Sequence, residues 1–200
     1  MNGFEVFPIA SFLVLVLLIS GKIFLLKRKG VSVNQGVTNG KKSFLNYYYI
    51  FLLIVFLWLF EIVKPVFQIP FSLLPNIITT HIFNSLLLKI SGALVLILAL
   101  VLLTVTLIHF KTSLRFGLND KQPGKLITTG IFSISRNPFF LSLDLYFLGI
   151  ALLLPSVFFI GFSILAAIGI HFFILKEEKF MRKVYETEYE NYKQQVRRYF

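Results

Sequence analysis

The amino-acid sequence predicts an all-α integral membrane protein, and its composition, its apolar blocks and its charge are the three observations behind this prediction. Hydrophobic residues make up 56% of the 200 residues and charged residues only 14%, whereas an ordinary soluble domain is about 25% charged and 45–50% apolar. The longest apolar block covers 37 residues, from Phe139 to Leu175. The formal net charge is nevertheless +11, so the basic residues must be separated in space from the apolar ones.

This composition excludes several classes of protein. A soluble enzyme of this length would have to bury more apolar surface than its interior can hold, and a disordered tail would contain far fewer apolar residues. Cysteine is absent, which excludes a disulfide scaffold, a thiolate nucleophile and a zinc site with cysteine ligands.

Three membrane spans are predicted in the first half of the chain. A spanning helix needs about 20 predominantly apolar residues, and residues 4–26, 44–63 and 90–110 meet this requirement. The first span lacks the basic start of a signal peptide and is followed by a Lys-Arg-Lys sequence, which indicates a retained anchor. Three prolines between the second and third spans prevent any continuous helix there: Pro65, Pro70 and Pro75.

The second half of the chain is predicted to contain a polar loop, a helical hairpin and a tail helix. The apolar block 139–175 is too long for one span and has the length of a hairpin that turns near Pro155. Five spans result. We therefore divide the chain into an N-terminal membrane region, residues 1–110, and a second region, residues 111–200, with its loop at 111–138 and its tail helix at 176–199.

The basic residues predict the orientation of the five spans. Seventeen of the twenty lysines and arginines lie in the loop after the first span, the loop after the third span and the tail. Five spans place all three segments on one side, whereas four or six would divide them. The positive-inside rule makes that side cytoplasmic, which puts the N-terminus outside and the C-terminus in the cytoplasm.

The tail carries apolar and aromatic residues at steps of three and four, which form one stripe on a helix. One interpretation is an interfacial helix on an anionic leaflet, a location that also explains the basic residues without nucleic acid. The other is a lid over a cytoplasmic site. The stripe consists of Phe180, Met181, Val184, Tyr185, Tyr189, Tyr192, Val196 and Tyr199.

Polar residues within the spans are candidates for function, because a polar group in hydrocarbon is costly. Asp144 lies in the predicted fourth span, where it can extend to the interface, pair with an arginine or face a cavity. The histidines His81, His109 and His171 are too scattered to suggest a metal site, and we predict no metal.

The two ends of the hairpin are expected to meet, because a hairpin returns both ends to one membrane face. Arg136 and Asn137 precede the hairpin, and Glu177 and Glu178 follow it. Pro138 suits the first turn of a helix, whose free N–H groups favour an anion, while the carboxylates favour hydroxyls or a cation. The sequence therefore predicts a polar pocket with one anion-binding wall and one acidic wall. The alternative is routine charge pairing in a turn.

The residues around this pocket occur in an order that resembles a known signature. The matching residues are Leu126, Ile127, Gly130 and Phe132, then Arg136, Asn137 and Pro138, then Glu177 and Glu178, then Glu188, Tyr189, Tyr192, Arg197 and Arg198. Over residues 117–199 the chain resembles the isoprenylcysteine carboxyl methyltransferase and phospholipid methyltransferase superfamily. Five spans suit its small bacterial or archaeal members, which implies the plasma or inner membrane of a prokaryote.

The resemblance implies an enzyme that transfers a methyl group from S-adenosylmethionine to a lipid-like or isoprenoid acceptor at the cytoplasmic face. Phe132 and Phe140 would pack the adenine or face the sulfonium, and Glu177 would bond an amine or a ribose hydroxyl. Arg136 and Glu178 are the candidate catalytic residues. By position, the family's cofactor contacts correspond to Gly124, Lys125, Leu126, Ile127, Phe132, Asn137, Pro138, Phe139, Phe140 and Glu177.

The chain departs from the superfamily pattern in three respects, of which the first is Asn137 at the position where the family often carries a His. Phe140 and Ser142 replace the usual Tyr and Gly, and Phe173 stands where the prenylcysteine enzymes carry an Arg that meets the substrate carboxylate. A prenylcysteine acceptor is therefore disfavoured, unless Arg136 supplies the charge. Two other functions remain open at this point: an NADPH-dependent membrane reductase of the sterol-reductase kind, and a non-enzymatic membrane adaptor or transporter subunit.

Overall fold

The structure, a computed structural model, describes residues 3–31, 43–111 and 125–199, and for residues 43–48 it describes the backbone alone. Within these ranges the regular elements are all helical, and a single β-bridge joins His81 to Ser156. The prediction of an all-α protein is confirmed. The helices are α1 Gly3–Arg28, α2 Ser43–Val66, α3 Asn76–Thr79, α4 Leu86–His109, a 3-10 helix Gly130–Ser133, α5 Pro138–Leu153 and α6 Val157–Gln195.

Four helices in the described ranges are long and apolar enough to cross a membrane: α1, α2, α4 and α6. The three N-terminal spans that we predicted match α1, α2 and α4 to within about four residues at each end. With 16 residues, α5 is about 24 Å long, which is shorter than the roughly 30 Å hydrocarbon core. The total of five spans therefore stays a prediction.

The predicted hairpin is present. Leu153 ends α5, Val157 begins α6 and Pro155 lies in the turn between them. The Ser156 side chain caps α6 by accepting a hydrogen bond from the Phe159 N–H. The N–H of Ile82, which precedes α4, donates a 2.7 Å hydrogen bond to the Pro155 carbonyl in this turn. The α5–α6 turn and the start of α4 therefore lie at the same end of the bundle.

Two glycines let α4 and α5 pack with their backbones close together. A Cβ on Gly92 would lie 2.7 Å from the backbone N of Leu153, and one on Gly149 would lie 2.7 Å from the Leu96 side chain. Small residues at such crossings are how membrane helices approach closely. The crossing fixes α5, and hence the residues at both of its ends, relative to α4.

Trp58 of α2 lies at the centre of the core. Its ring centroid is 5.5 Å from that of Phe162 and 5.8 Å from those of Phe12 and Phe147, so one side chain joins α1, α2, α5 and α6. Large apolar side chains also cover the outside of the bundle, including Leu17 and Leu165, which are 68% and 71% exposed. An apolar exterior of this kind is stable against lipid rather than against water.

The predicted tail helix is part of α6, which does not end at the predicted boundary of residue 176. The apolar part of α6, residues 157–175, is the part suited to span. Glu186 has φ 43° and ψ −117°, values that a non-glycine residue rarely adopts, and they bend the helix. The bend turns the last part of α6 and residues 196–199 back toward the start of α5. The location of this tail on a leaflet stays a prediction.

Candidate active site

Three charged side chains meet where the two ends of the hairpin come together. A carboxylate oxygen of Glu178 lies 3.1 Å from Nη2 of Arg136. Arg198 donates two hydrogen bonds to the same carboxylate, each 2.9 Å long. Both Arg136 and Glu178 have side chains that are 7% exposed, so this interaction is largely shielded from solvent. We call Arg136, Glu178, Tyr189 and Arg198 the Glu178 cluster.

Arg136 is held from several directions. Its backbone N–H donates to the Arg197 carbonyl at 3.0 Å, and its Nη1 donates to the Tyr189 hydroxyl at 3.2 Å. Its Nε is buried and has no hydrogen-bond partner in the described part of the chain. A buried guanidinium N–H without an acceptor is costly. Nη1 and Nη2 of Arg136 are thus both engaged, whereas Nε is not.

The tail covers the segment that precedes α5. The Tyr192 hydroxyl donates a 2.5 Å hydrogen bond to the Phe132 carbonyl, and Nδ2 of Asn137 donates to the Arg198 carbonyl at 3.2 Å. Tyr189, Tyr192 and Val196 form a buried apolar cluster. These side chains pack against Leu126 in the segment that precedes α5, which agrees with the interpretation of the tail as a lid.

The expected meeting of the hairpin ends is confirmed for Arg136 and Glu178. The two walls of the predicted pocket are, however, in direct contact as an ion pair. Because the Arg136 side chain pairs with Glu178 and Asn137 bonds to the tail, these groups form a compact cluster. Any ligand here must lie beside the ion pair rather than between its members.

The comparison with protein families decides what kind of protein carries this cluster. The model of the phospholipid methyltransferase family matches residues 87–188. This match covers just over half of the chain, from α4 through the Glu178 carboxylate into the tail. The chain belongs to the phospholipid methyltransferase family. The resemblance found in the sequence is thereby confirmed. No curated protein matches the chain.

Membership of this family makes the chain a membrane methyltransferase with a lipid-like substrate. Together with its apolar helices, it makes the chain an integral membrane protein. Tyr189, Tyr192 and Arg198 lie beyond the matched residues, although they contact matched ones. In this family member the tail therefore completes the cluster that the matched segment begins.

The residues that the resemblance assigned to the cofactor differ in burial. Gly124 lies outside the described residues. Lys125 is exposed, Leu126 and Ile127 are half-buried, and Phe132, Asn137 and Pro138 are buried. Phe139, Phe140 and Glu177 are half-buried.

The phenylalanines among these residues belong to one row of rings. Ring centroids lie 5.0 Å apart for Phe110 and Phe132, and 6.3 Å apart for Phe110 and Phe139. The row continues from Phe139 to Phe140 at 5.5 Å and from Phe140 to Phe173 at 5.3 Å. Phe173, at the position where the resemblance to the prenylcysteine enzymes leads one to expect an Arg, therefore extends this row of aromatic rings.

The two adjacent glutamates have opposite electrostatic environments. Burial by itself raises the pKa of Glu178, but the hydrogen bonds from Arg198 and the charge of Arg136 outweigh it, and the pKa is lowered. Burial and the negative charge of Glu178 raise the pKa of Glu177 to about 7. Glu178 is thus ionised at neutral pH, while Glu177 gains or loses a proton there. A pair of carboxyls with separated pKa values is typical of functional sites.

The structure explains why position 130, which the resemblance included, is a glycine. Its φ is +67°, and a Cβ at this position would lie 2.1 Å from the imidazole ring of His109. That ring is bonded through Nδ1 to the Val105 carbonyl at 2.8 Å. The glycine therefore lets the 3-10 helix pack against the end of α4, which positions Phe132 beside Phe110.

Arg198 and Tyr199 are the residues whose place in the site the sequence did not predict. Arg198 was recognised only as a basic residue at the end of the signature, and its two hydrogen bonds to Glu178 depend on the bend at Glu186. The Tyr199 hydroxyl lies 2.7 Å from Nδ1 of His171. No local spacing links residues 28 positions apart.

Proposed function

We propose that this chain is an S-adenosylmethionine-dependent methyltransferase that methylates a lipid-like or isoprenoid acceptor at the cytoplasmic membrane face. Family membership supports the reaction class. The observation that carries the site assignment is the contrast between Glu178, neutralised by two arginines, and Glu177, with a pKa of about 7. The Glu178 carboxylate holds the hairpin ends together, and we assign the adjacent Glu177 carboxylate to ligand binding.

The side chains near the cluster have the chemistry that such a cofactor requires. Nε of Arg136 is a buried donor without an acceptor, which suits the carboxylate of the cofactor. Phe132, Phe139 and Phe140 present aromatic rings, which suit an adenine and a sulfonium. Glu177 accepts a hydrogen bond from an amine or a ribose hydroxyl. When bound, the cofactor supplies a methyl group on a positively charged sulfur.

The residues that we assign to the cofactor are those of the family signature. Backbone groups of residues 124–127 hold the adenine and the methionine part, and Asn137 and Pro138 shape the start of α5. Arg136 and Glu178 are assigned the catalytic role, in which Glu178 holds Arg136 in place and Arg136 aligns the cofactor with the acceptor, because alignment of the two reacting groups is the main requirement of methyl transfer. The region 111–200 then forms the catalytic part, and 1–110 the membrane anchor.

The distribution of basic residues supports the orientation in the membrane that we propose. The ends of α1, α4 and α6 near the Glu178 cluster carry most of the basic residues, and the opposite ends carry few. By the positive-inside rule the cluster faces the cytoplasm and the N-terminus lies outside, in the plasma or inner membrane of a prokaryote. A cysteine-accessibility experiment, with single cysteines at Ser85 and Ser133, tests this; labelling of Ser133→Cys from outside intact cells contradicts it.

Calorimetry in detergent with S-adenosylhomocysteine tests the cofactor assignment. The wild-type chain is expected to bind it saturably, and Glu177→Ala is expected to weaken binding by at least about tenfold, because one charged hydrogen bond contributes about 1.5–3 kcal/mol. The matched control is Glu188→Ala, an exposed glutamate in the same helix. Equal binding by Glu177→Ala and wild type contradicts the site. Saturable NADPH binding without S-adenosylhomocysteine binding favours the reductase alternative.

A further inference from the structure

A separate pocket lies at the end of the bundle opposite the Glu178 cluster. Its volume is about 330 Å³, and it is lined by the end of α2, by the segment before α4 and by the α5–α6 turn. Leu154 and Phe159 form its apolar side. This volume is at the lower end of the range for ligand pockets, so the pocket suits one small group rather than a whole nucleotide.

Glu61 lines this pocket with a carboxylate of which one oxygen lacks a donor. Its side chain is only 6% exposed. Nζ of Lys64 lies 4.0 Å from Oε2 and donates a 2.7 Å hydrogen bond to the Ser72 hydroxyl, which also bonds to the Glu61 carboxylate. Oε1 is buried and has no hydrogen-bond partner among the described residues. A buried carboxylate oxygen without a donor is costly, so this oxygen requires a donor from the pocket.

Gln68, which also lines the pocket, has a backbone conformation that a glycine would adopt more easily. Its φ is 51°, and it follows the end of α2, where the Ile69 N–H donates to the Lys64 carbonyl at 3.1 Å. Helices that end in this way usually carry a glycine at this position, because a Cβ is strained there. The chain therefore keeps an amide side chain in the pocket at a position where glycine would fold more easily.

Three polar side chains of the pocket can each donate and accept hydrogen bonds: Gln68, Thr79 and His81. Partial burial and the positive charge of Lys89 lower the pKa of His81, so its imidazole is neutral at neutral pH. A β-bridge from His81 to Ser156 holds this segment against the α5–α6 turn. Hydroxyl groups also donate and accept, so these side chains complement a ligand with several hydroxyls.

The charges of the pocket disfavour other classes of ligand. Oε1 of Glu61 repels an anion. Lys64 balances the Glu61 carboxylate and repels a metal ion or an ammonium, and the described residues contain no group of three His, Cys, Asp or Glu that could hold a metal. With His81 neutral, the pocket has no net charge. The donor that Glu61 requires is therefore best supplied by a neutral group.

We propose that this pocket binds a neutral polyhydroxylated group, in which one hydroxyl donates to the free oxygen of Glu61 and another contacts the amide of Gln68. The ring of Phe159 packs against the C–H surface of the same group. A glycolipid headgroup and a free sugar share this chemistry. Phe67, next to Gln68, is 69% exposed, and such an apolar surface beside the pocket favours the lipid as the source. The proposal does not rest on the methyl-transfer reaction.

The test measures ligand binding to the full-length protein in a detergent without sugar, because a sugar detergent would occupy the site. The probes are a short-chain glucosyl diacylglycerol, free glucose and a short-chain phosphatidylethanolamine. Binding is measured by the rise in unfolding temperature and by the fluorescence of Trp58, the only tryptophan of the chain. The ring centroids of Trp58 and Phe159 are 6.5 Å apart, so this fluorescence reports on the pocket.

Glu61→Gln and Gln68→Gly test the two contacts, and Asp144→Asn is the matched control. Asp144 also has a buried carboxylate oxygen without a hydrogen-bond partner in the part of the chain that the structure describes, but it does not line this pocket. Gln68→Gly separates binding from folding, because glycine relieves the strained backbone while it removes the amide. Its unfolding temperature without ligand should therefore not fall.

We expect the glucosyl lipid to bind wild type and Asp144→Asn saturably and with equal affinity. Glu61→Gln should raise the dissociation constant about fivefold, because a charge-assisted hydrogen bond is about twice as strong as a neutral one. Gln68→Gly should raise it about threefold. Equally tight binding of glucose supports the pocket and identifies a free sugar as the source, whereas binding of the lipid alone identifies the headgroup.

Three results overturn the proposal. The first is that neither sugar probe binds wild type saturably. The second is that the dissociation constant is unchanged in both Glu61→Gln and Gln68→Gly. The third is that phosphatidylethanolamine binds more tightly than the glucosyl lipid and loses this advantage in Glu61→Gln, which would assign the pocket to an ammonium. None of these measurements uses S-adenosylhomocysteine, so they are independent of the test of the proposed function.

Discussion

The two ends of the bundle each carry a buried carboxylate beside basic groups, and they are built differently. Glu178 receives Arg136 and Arg198 at 2.9–3.1 Å, from residues 42 positions before and 20 positions after it. Glu61 lies 4.0 Å from Lys64 of its own helix, and its second oxygen has no hydrogen-bond partner in the described residues. The Glu178 carboxylate joins three separate segments with two arginines, whereas Glu61 contacts Lys64, one helical turn away, and the Ser72 hydroxyl just beyond its helix.

This difference shows which charges organise the tertiary structure. An ion pair within one helix forms whenever that helix forms, so it adds little to the arrangement of helices. The Glu178 cluster forms only when α5, the bend in α6 and the last residues of the chain are all in place. We therefore expect the Glu178 end to respond strongly to changes in sequence and pH, and the Glu61 end to respond weakly.

The largest expected effect comes from Glu178→Gln. This change removes the negative charge shared by Arg136 and Arg198, and leaves the largely buried guanidinium of Arg136 without a counter-charge. Loss of one partner from a buried ion pair costs about 3–5 kcal/mol, and we expect about 2–4 kcal/mol here because Arg198 is partly exposed. Thermal unfolding in detergent measures the difference, together with methyl transfer, which should fall at least 100-fold.

Glu61→Gln is the matched control for this comparison. It should cost less than about 1 kcal/mol, because its one ion pair is long and local. If Glu61→Gln lowers the unfolding temperature as much as Glu178→Gln does, the contrast between the two ends is wrong.

A smaller effect is expected from pH at Glu177. Its pKa is raised to about 7, so the side chain is mostly protonated at pH 6 and mostly ionised at pH 8. Only the ionised carboxylate accepts a charged hydrogen bond from the amine of the cofactor product. Binding of S-adenosylhomocysteine should therefore tighten by up to about tenfold between pH 6 and pH 8.

Glu177→Gln supplies the control, because its amide does not titrate. Calorimetry at several pH values should give a much flatter profile for this variant than for wild type. A wild-type profile that is equally flat, or that weakens as the pH rises, contradicts the role assigned to Glu177.

The smallest expected effect comes from Glu190→Gln. Glu190 pairs with Arg182 at 3.2 Å across the bend in α6, but both side chains are nearly half exposed. Exposed ion pairs contribute about 0.2–1 kcal/mol, so unfolding temperature and activity should stay close to wild type. A loss comparable to that of Glu178→Gln would show that this surface pair, rather than the buried cluster, holds the tail in place.

The sequence predicted the ends of the hairpin well because their meeting follows from length alone. An apolar block of 37 residues with a proline near its middle must turn, and its flanking residues must then return to one end. The partners of Glu178 beyond Arg136 were not predictable in this way. Arg198 reaches Glu178 only because the helix bends at Glu186, and neither a glycine nor a proline marks that bend in the sequence.

Asp144 illustrates the same division between local and distant information. Its position within an apolar helix was enough to mark it as costly, because the cost depends on the surrounding hydrocarbon. It lines a cleft between α5 and α6 together with His171 and Tyr199, which come from another helix and from the end of the chain. The sequence had left His171 without a role, since nothing within its own turn of helix suggests a partner.

By itself, the sequence determined the all-α class, three of the membrane helices, the hairpin and the family resemblance. Each of these depends on local properties: the length of apolar blocks, the placement of prolines and the order of a short signature. Only the tertiary structure decided that Arg198 shares Glu178 with Arg136, that the tail covers the loop before α5, and that Asp144 faces an open cleft. These features depend on a backbone bend and on the close crossing of α4 and α5 at two glycines, which bring together residues that are distant in the chain.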